Sequence, residues 1–265
     1  MSLIDFYTQE SPFATEFRRL LQRLKRTQEK DDLKALMITS STLSEGKSTI
    51  SCLLSITAAK KGMKTLLIDT DLRRPTIHKL FRTDRQNGMS EILTEGLPPK
   101  SAIRKTELEN LDLITAGKVT AEPAEIFDAP AIGRMVAELK FYYDLIVIDC
   151  APVIPVSDPM LLSNEVDGTA IVVRAGKTPR EVAARAVDIL KANNSKLLGV
   201  ILNNVSNTLP YYYNYEYYGY DYKPSRTDRR SARRARQPRD DQQGEAGDSK
   251  TKPPAATADR KIIRN

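Results

Sequence analysis

The loop STLSEGKS (41–48) holds a glycine, a lysine and a hydroxyl in the order that phosphate binding asks for. Such a loop needs backbone N–H groups ringed around the phosphates at a helix N-terminus. It also needs a lysine for the β/γ charges and a hydroxyl for Mg²⁺. Gly46, Lys47 and Ser48 supply the second half of that pattern, and Ser41 stands where the first glycine would be. Ser44, Glu45 and Thr49 complete the candidate nucleotide-binding set, with Ser48 as the candidate metal hydroxyl.

Two stretches downstream end on acids. LLIDTDLRRP (66–75) closes an apolar run with Asp69 and Asp71, which alternation puts on one side of an extended chain. Two like charges so close repel unless a cation sits near them, and Mg²⁺ beside the loop would supply it. DLIVIDCAP (144–152) ends another apolar run on Asp149, a carboxylate suited to the same metal. Alone, Asp69 and Asp71 also read as solvated loop acids, and an acid at a strand end such as Asp149 is common; the three elements in this order argue for one phosphoryl-transfer site. Arg73 and Arg74 read as phosphate ligands or as solvated loop arginines. His78, the single histidine, has no cysteine or carboxylate at ligand spacing and reads as a surface-helix residue.

These residues need a frame. KALMIT (34–39), TLLID (65–69), LDLIT (111–115), LIVID (145–149), TAIVV (169–173) and LLGVIL (197–202) are short apolar runs. Helical patterns cover 47–61, stopping at Gly62, and 124–140 and 179–192, while an amphipathic stretch opens at Ser11-Pro12. Strands alternating with helices imply βαβ units and a parallel sheet buried on both faces. The expected fold is α/β: a P-loop, doubly wound, mostly parallel β-sheet with helices on both faces and a disordered C-terminal tail. Its expected division is a folded domain over 1–210, a tyrosine cluster over 211–222 and a basic tail over 223–265.

Composition sets further limits. The chain has 265 residues, 40% of them hydrophobic, which suffices for one sizeable core. Of its 41 basic and 34 acidic residues, 13 and 6 follow Tyr222, leaving 28 of each in residues 1–222. The +7 net charge therefore belongs to the tail and says nothing about a nucleic-acid groove on the body, and no specific nucleic-acid partner is expected. The tail arginines fit either anionic headgroups and nucleic acid or a solvated linker. Cys52 and Cys150 lie among apolar residues and read as reduced core thiols. MSLIDFYTQE has no apolar signal region, and no stretch approaches a membrane span, so a cytoplasmic location is expected.

The run YYYNYEYYGYDY carries eight of the eleven tyrosines: Tyr211, Tyr212, Tyr213, Tyr215, Tyr217, Tyr218, Tyr220 and Tyr222. Their neighbours are Asn, Glu, Gly and Asp, and neither strand nor helix periodicity hides phenols at this density. They read as solvent-facing hydroxyls.

SSTLSEGKST, LLIDTDLRRP, YDLIVIDCAPV, VVRAGKT (172–178), LGVILNNV (198–205) and the tyrosine run together resemble the bacterial tyrosine kinases of capsule and exopolysaccharide synthesis. The resemblance extends from about residue 11 to residue 222. It implies an ATP- and Mg²⁺-dependent protein-tyrosine autokinase. In it Lys47 holds the β/γ-phosphates, while Ser48, Asp71 and Asp149 organise the metal. Asp69 orients or deprotonates the incoming phenol, and the eight tail tyrosines are the acceptors. It implies a membrane adaptor of the polysaccharide chain-length-regulator type as activator, which would bring the chain to the inner face of the plasma membrane. It also implies phosphorylation in trans between copies, and a cognate tyrosine phosphatase. The chain departs from the family at Leu43-Ser44, where Pro-Gly is usual. Its first helix offers Glu16/Arg19/Gln22 or Thr15/Arg18/Leu21 in place of Glu-x-x-Arg-x-x-Arg. Partition ATPases of the MinD/ParA type share the expected fold but usually carry a signature lysine where this chain has Thr42. A non-kinase switch of that type, or a weakened nucleotide-binding module, is the alternative function.

Overall fold

The computed structural model describes residues 3–7, 12–26, 33–119 and 122–204. In chain order these form α1 (Leu3–Phe6), α2 (Pro12–Arg26), β1 (Ala35–Ser40), α3 (Lys47–Lys60), β2 (Thr65–Asp69) and α4 (Ile77–Leu80). Then follow α5 (Met89–Glu95), α6 (Pro99–Ala102), β3 (Arg104–Lys105), β4 (Leu111–Ile114), α7 (Pro123–Ile126) and α8 (Ala129–Leu139). The last elements are β5 (Leu145–Asp149), α9 (Asp158–Leu162), β6 (Gly168–Arg174), α10 (Arg180–Ala192) and β7 (Leu197–Asn203).

The strands make one sheet in the order β3-β4-β2-β5-β1-β6-β7. Every neighbouring pair is parallel except β3 with β4. Residues alternate between two core layers. Leu36, Ile38, Leu67 and Val147 pack with Leu21 of α2 and Leu54 and Ile56 of α3. Met37, Leu66, Ile68 and Ile148 pack with Ile132 and Val136 of α8. Ile171 and Val173 of β6 meet Ala186 and Leu190 of α10. Cover on both faces is why β1, β2, β4 and β5 are buried along their whole length and apolar nearly throughout.

The helix expected over 124–140 is two helices. Asp128 interrupts it: its carboxylate accepts the Ala131 N–H at 2.9 Å and starts α8, with Pro130 in the first turn. The helix expected over 47–61 ends at Lys60, followed by Gly62 in the left-handed region at φ 80. The short elements α4, α6, α7, α9 and β3 span too few residues to display a period, and sequence patterning missed all of them but the piece of α7 inside 124–140. Cys52 and Cys150 are buried free thiols. Half-buried His78 sits on α4. Among the described residues no helix is long and apolar enough to cross a membrane. The tyrosine run, the boundary at 210 and the tail over 223–265 lie outside the described residues.

Candidate functional site

In a doubly wound sheet, ligands gather at the carboxyl ends of the strands. Three central neighbours, β2, β5 and β1, end here in Asp69, Asp149 and the loop 41–48. Ile38 and Asp69 both pair with Asp149, so β2 and β5 end level while β1 runs on to Ser40 and into the loop. Thr39 Oγ1 donates to the Ala151 carbonyl at 2.6 Å, and Thr70 donates through both N–H (2.9 Å) and Oγ1 (3.0 Å) to the Asp149 carbonyl. These bonds tie the loop strand and the two acid-bearing strands together.

The charged groups converge on Lys47. Its Nζ lies 2.8 Å from Asp71 Oδ2 and 3.2 Å from Asp149 Oδ2, and it donates to Ser48 Oγ at 3.1 Å. Ser48 Oγ donates to the same Asp149 oxygen at 2.5 Å, and Ser51 Oγ reaches Asp149 Oδ1 at 3.2 Å. Asp69, Asp71 and Asp149 are all buried. Burial alone would lower the Lys47 pKa, but the charges of Asp149 and Asp71 outweigh it and hold the ammonium above its ordinary range. Burial and the nearby Asp149 charge push Asp69 up to about 7, against the pull of Lys47. Burial also raises Asp149, while Lys47 and Ser48 oppose the shift.

Asp69 has a second task. Its Oδ1 accepts the Asp71 N–H at 3.2 Å, and its Oδ2 accepts the N–H groups of Thr76 and Ile77 at 3.1 Å each. It therefore shapes the turn between β2 and α4 as well as standing in the acid cluster. Arg73 is divided between Asp158 (Nε to Oδ2, 3.3 Å) and Glu122 (3.6 Å), whereas Arg74 is exposed.

The loop itself contains two left-handed residues, Ser44 at φ 62 and Gly46 at φ 98. A Cβ on Gly46 would lie 2.2 Å from Asn203 Nδ2 and sit on a backbone that L-residues rarely adopt, so glycine is favoured there. Ser44 takes a conformation that glycine adopts more readily, at the position where the sequence departs from Pro-Gly. The first-turn N–H groups of α3 have no acceptor within the helix and so suit an anion. Ser41 Oγ is buried and has no hydrogen-bond partner.

Sequence reasoning and structure agree that Gly46, Lys47, Ser48, Asp69, Asp71 and Asp149 gather in one place. Two of the flanking candidates stand apart from that cluster. Thr49 is exposed and makes no contact with the acid cluster, and the Glu45 carboxylate is turned into the protein. Ser51, Thr178 and Asn203 support the loop and were missed. Ser51 could have been found from its spacing, three residues past Ser48 on one helix face. Thr178 and Asn203 lie in the quoted segments 172–178 and 198–205, but no spacing there ties either to the loop. On α2, the two readings that stand in place of Glu-x-x-Arg-x-x-Arg form neighbouring pairs, Arg19 with Glu16 at 2.6 Å and Arg18 with Thr15 at 2.8 Å.

A family model described as an AAA domain matches residues 39–171. The tyrosine-protein kinase YwqD of Bacillus subtilis (strain 168) is 36% identical over 187 residues, which make up 71% of this chain and 78% of YwqD. The crystal structure of the chimerical protein CapA2B2 gives a TM-score of 0.70 at 30% identity, covering 76% of this chain and 88% of that one. The kinase domain of Escherichia coli tyrosine kinase ETK gives 0.69 at 27% identity, covering 74% and 81%. These likenesses carry nucleotide binding with them. The P-loop, the two acid-tipped strands and this kinship make one case: the chain belongs to the bacterial tyrosine-kinase family.

Proposed function

We propose that the chain transfers the γ-phosphoryl group of ATP to tyrosines of its own cluster over 211–222, and through this regulates capsule or exopolysaccharide synthesis. The observation that carries the reading is the convergence of Lys47, Ser48, Asp71 and Asp149 beside a phosphate loop, in a chain that also holds eight clustered tyrosines.

The residues fit a nucleotide with Mg²⁺. Among the described residues no group of three or more His, Cys, Asp or Glu side chains is arranged to hold a metal alone. A hydroxyl with one or two carboxylates is the donor set that Mg²⁺ takes when phosphate oxygens complete its shell. Ser48, Asp71 and Asp149 would hold it, and when bound it would neutralise charge on the phosphates. Lys47, already poised between those acids, would turn to the β/γ-phosphates. The unpartnered Ser41 hydroxyl offers one more donor within the loop.

In the transfer, a tyrosine oxygen forms a bond to the γ-phosphorus while the bond to the bridging oxygen of ADP breaks. The phenol proton goes to Asp69. A carboxylate at about 7 is a stronger base than an ordinary one and is still partly ionised near neutral pH, and Asp69 Oδ1, with one N–H donor, has a lone pair left to accept the proton. Most of the acceleration then comes from positioning and charge neutralisation. A membrane adaptor as activator, transfer between copies of the chain and a cognate phosphatase complete the proposal.

Purified chain given Mg-ATP and probed for phosphotyrosine tests it, alongside Lys47→Met and a truncation after Pro210. Labelling should vanish in both variants. ATP hydrolysis without phosphotyrosine would favour a switch ATPase, absence of ATP binding a passive module. Undiminished labelling of the truncated chain would remove the tail as main acceptor.

A further inference from the structure

Glu45 lies in the middle of the phosphate loop, yet only 1% of it is exposed. One carboxylate oxygen accepts the Thr42 N–H at 2.9 Å, and the other accepts the Thr178 hydroxyl. Thr178 Oγ1 in turn accepts the Arg174 N–H at 3.0 Å, and the Thr178 N–H donates to the Arg174 carbonyl at 2.9 Å. The hydroxyl is thus fixed within the connection between β6 and α10, tied back to the end of β6. From the end of β7, Asn203 Nδ2 donates to the Glu45 carbonyl at 2.9 Å.

The placement matters because of the backbone on either side. Ser44 and Gly46, the two left-handed residues of the loop, flank Glu45 directly. Sparsely populated backbone conformations persist only where their surroundings over-determine them. Glu45 is the one residue between the two, so pinning its side chain fixes the peptide planes on both sides. Those planes carry the N–H groups that would face the phosphates. Without the Thr178 donor, a buried carboxylate loses part of its solvation and gains by swinging toward water. That movement would loosen the loop and bring negative charge toward its mouth.

We propose that Thr178 is a positioning residue for nucleotide binding: through Glu45 it holds loop 41–48 in its phosphate-accepting shape without touching the nucleotide. The proposal rests on the reading of this loop as the nucleotide site. It assigns a task to the segment 172–178, which the phosphoryl-transfer chemistry leaves unused.

The test measures binding of a fluorescent ADP analogue with Mg²⁺, and KM for ATP against kcat, on the full chain. Thr178→Val keeps the side-chain shape and deletes the hydroxyl. We expect about five- to tenfold weaker binding, the loss of one hydrogen bond to a buried charge, with the change in KM and not in kcat. Thr178→Ser should restore wild-type affinity. In a Glu45→Ala background, Thr178→Val should weaken binding no further, because the partner is already gone. Should Thr178→Val lose its thermal unfolding transition, Glu45→Asp carries the same expectation, since the shorter side chain cannot reach both Thr42 and Thr178. Wild-type affinity in Thr178→Val, failure of Thr178→Ser to rescue, or additivity with Glu45→Ala would each overturn the clasp. A wild-type chain that binds no nucleotide would overturn the site reading and the clasp with it.

Discussion

Asp69 and Asp149 are Cα partners on the adjacent parallel strands β2 and β5. The register delivers two buried carboxylates to one height of the sheet, with Asp71 two residues further on. Lys47 offsets their repulsion from the neighbouring loop, 2.8 Å from Asp71 and 3.2 Å from Asp149. The lysine assigned to phosphate binding is therefore also a structural counter-charge.

A cost to folding follows for Lys47→Met. Removing one partner from a buried ionic cluster leaves uncompensated charge and destabilises by about 3–5 kcal/mol. Urea denaturation in a chelator at pH 7.5 should show a loss of this size, and millimolar Mg²⁺ should recover part of it by taking the place of the ammonium charge. Equal stability of variant and parent would mean that the acids are solvated well enough to need no cation.

The fold and the centre of the site were legible because both rest on local pattern. LLID and LIVID are apolar runs ending on acids, and a parallel sheet covered on both faces selects such runs and sends their carboxyl ends to one edge. Asp128 was overlooked because its neighbours continue a helical period across the break. Glu45 was read as a nucleotide-binding residue because it sits inside the loop motif, and that its carboxylate meets Thr178, 133 positions away, is something the motif does not report. Asn203 closes on the same loop from 158 positions away. Contacts at such separations come from sheet topology, and no spacing in the sequence reports them.

Ser44 gives a prediction of opposite sign. An L-residue in the left-handed region costs about 1–2 kcal/mol, and Ser44 sits there at φ 62. Glycine relieves that strain but brings back about 0.5–1 kcal/mol of unfolded-chain freedom. Ser44→Gly should therefore gain a net of about 0.5 kcal/mol in chemical denaturation, and Ser44→Val should lose about 1–2 kcal/mol. If valine were as stable as serine, the loop would have to adopt another backbone in solution.

Gly46 faces both a backbone and a packing restriction. At φ 98, with Asn203 Nδ2 2.2 Å from where a Cβ would sit, Gly46→Ala should cost about 2–3 kcal/mol. Introduced into an Asn203→Ala background, the same change meets no amide and should cost about 1 kcal/mol less. Equal penalties in the two backgrounds would assign the whole effect to the backbone.

Asp167 makes a pH-dependent contribution at the opposite end of the sheet. Its Oδ2 accepts the N–H groups of Lys34 (3.1 Å) and Ala35 (2.7 Å), and its Oδ1 accepts Lys140 Nζ at 2.6 Å. Burial alone would raise its pKa, but the Lys140 hydrogen bond and the backbone donors outweigh burial and lower it. The folded value thus lies below the unfolded one of about 3.9. Its stabilisation is fully present above that value and is lost as pH falls through the folded pKa. Asp167→Asn should cost about 1–2 kcal/mol at pH 7, a figure reduced for the partial exposure of the ion pair. Below the folded pKa the carboxyl of the parent is protonated too, so the two urea midpoints should draw together as the pH falls. A gap that stays constant as the pH falls through the folded pKa would show that the amide loses only packing, and that the charge on Asp167 contributes nothing to the anchoring of β1.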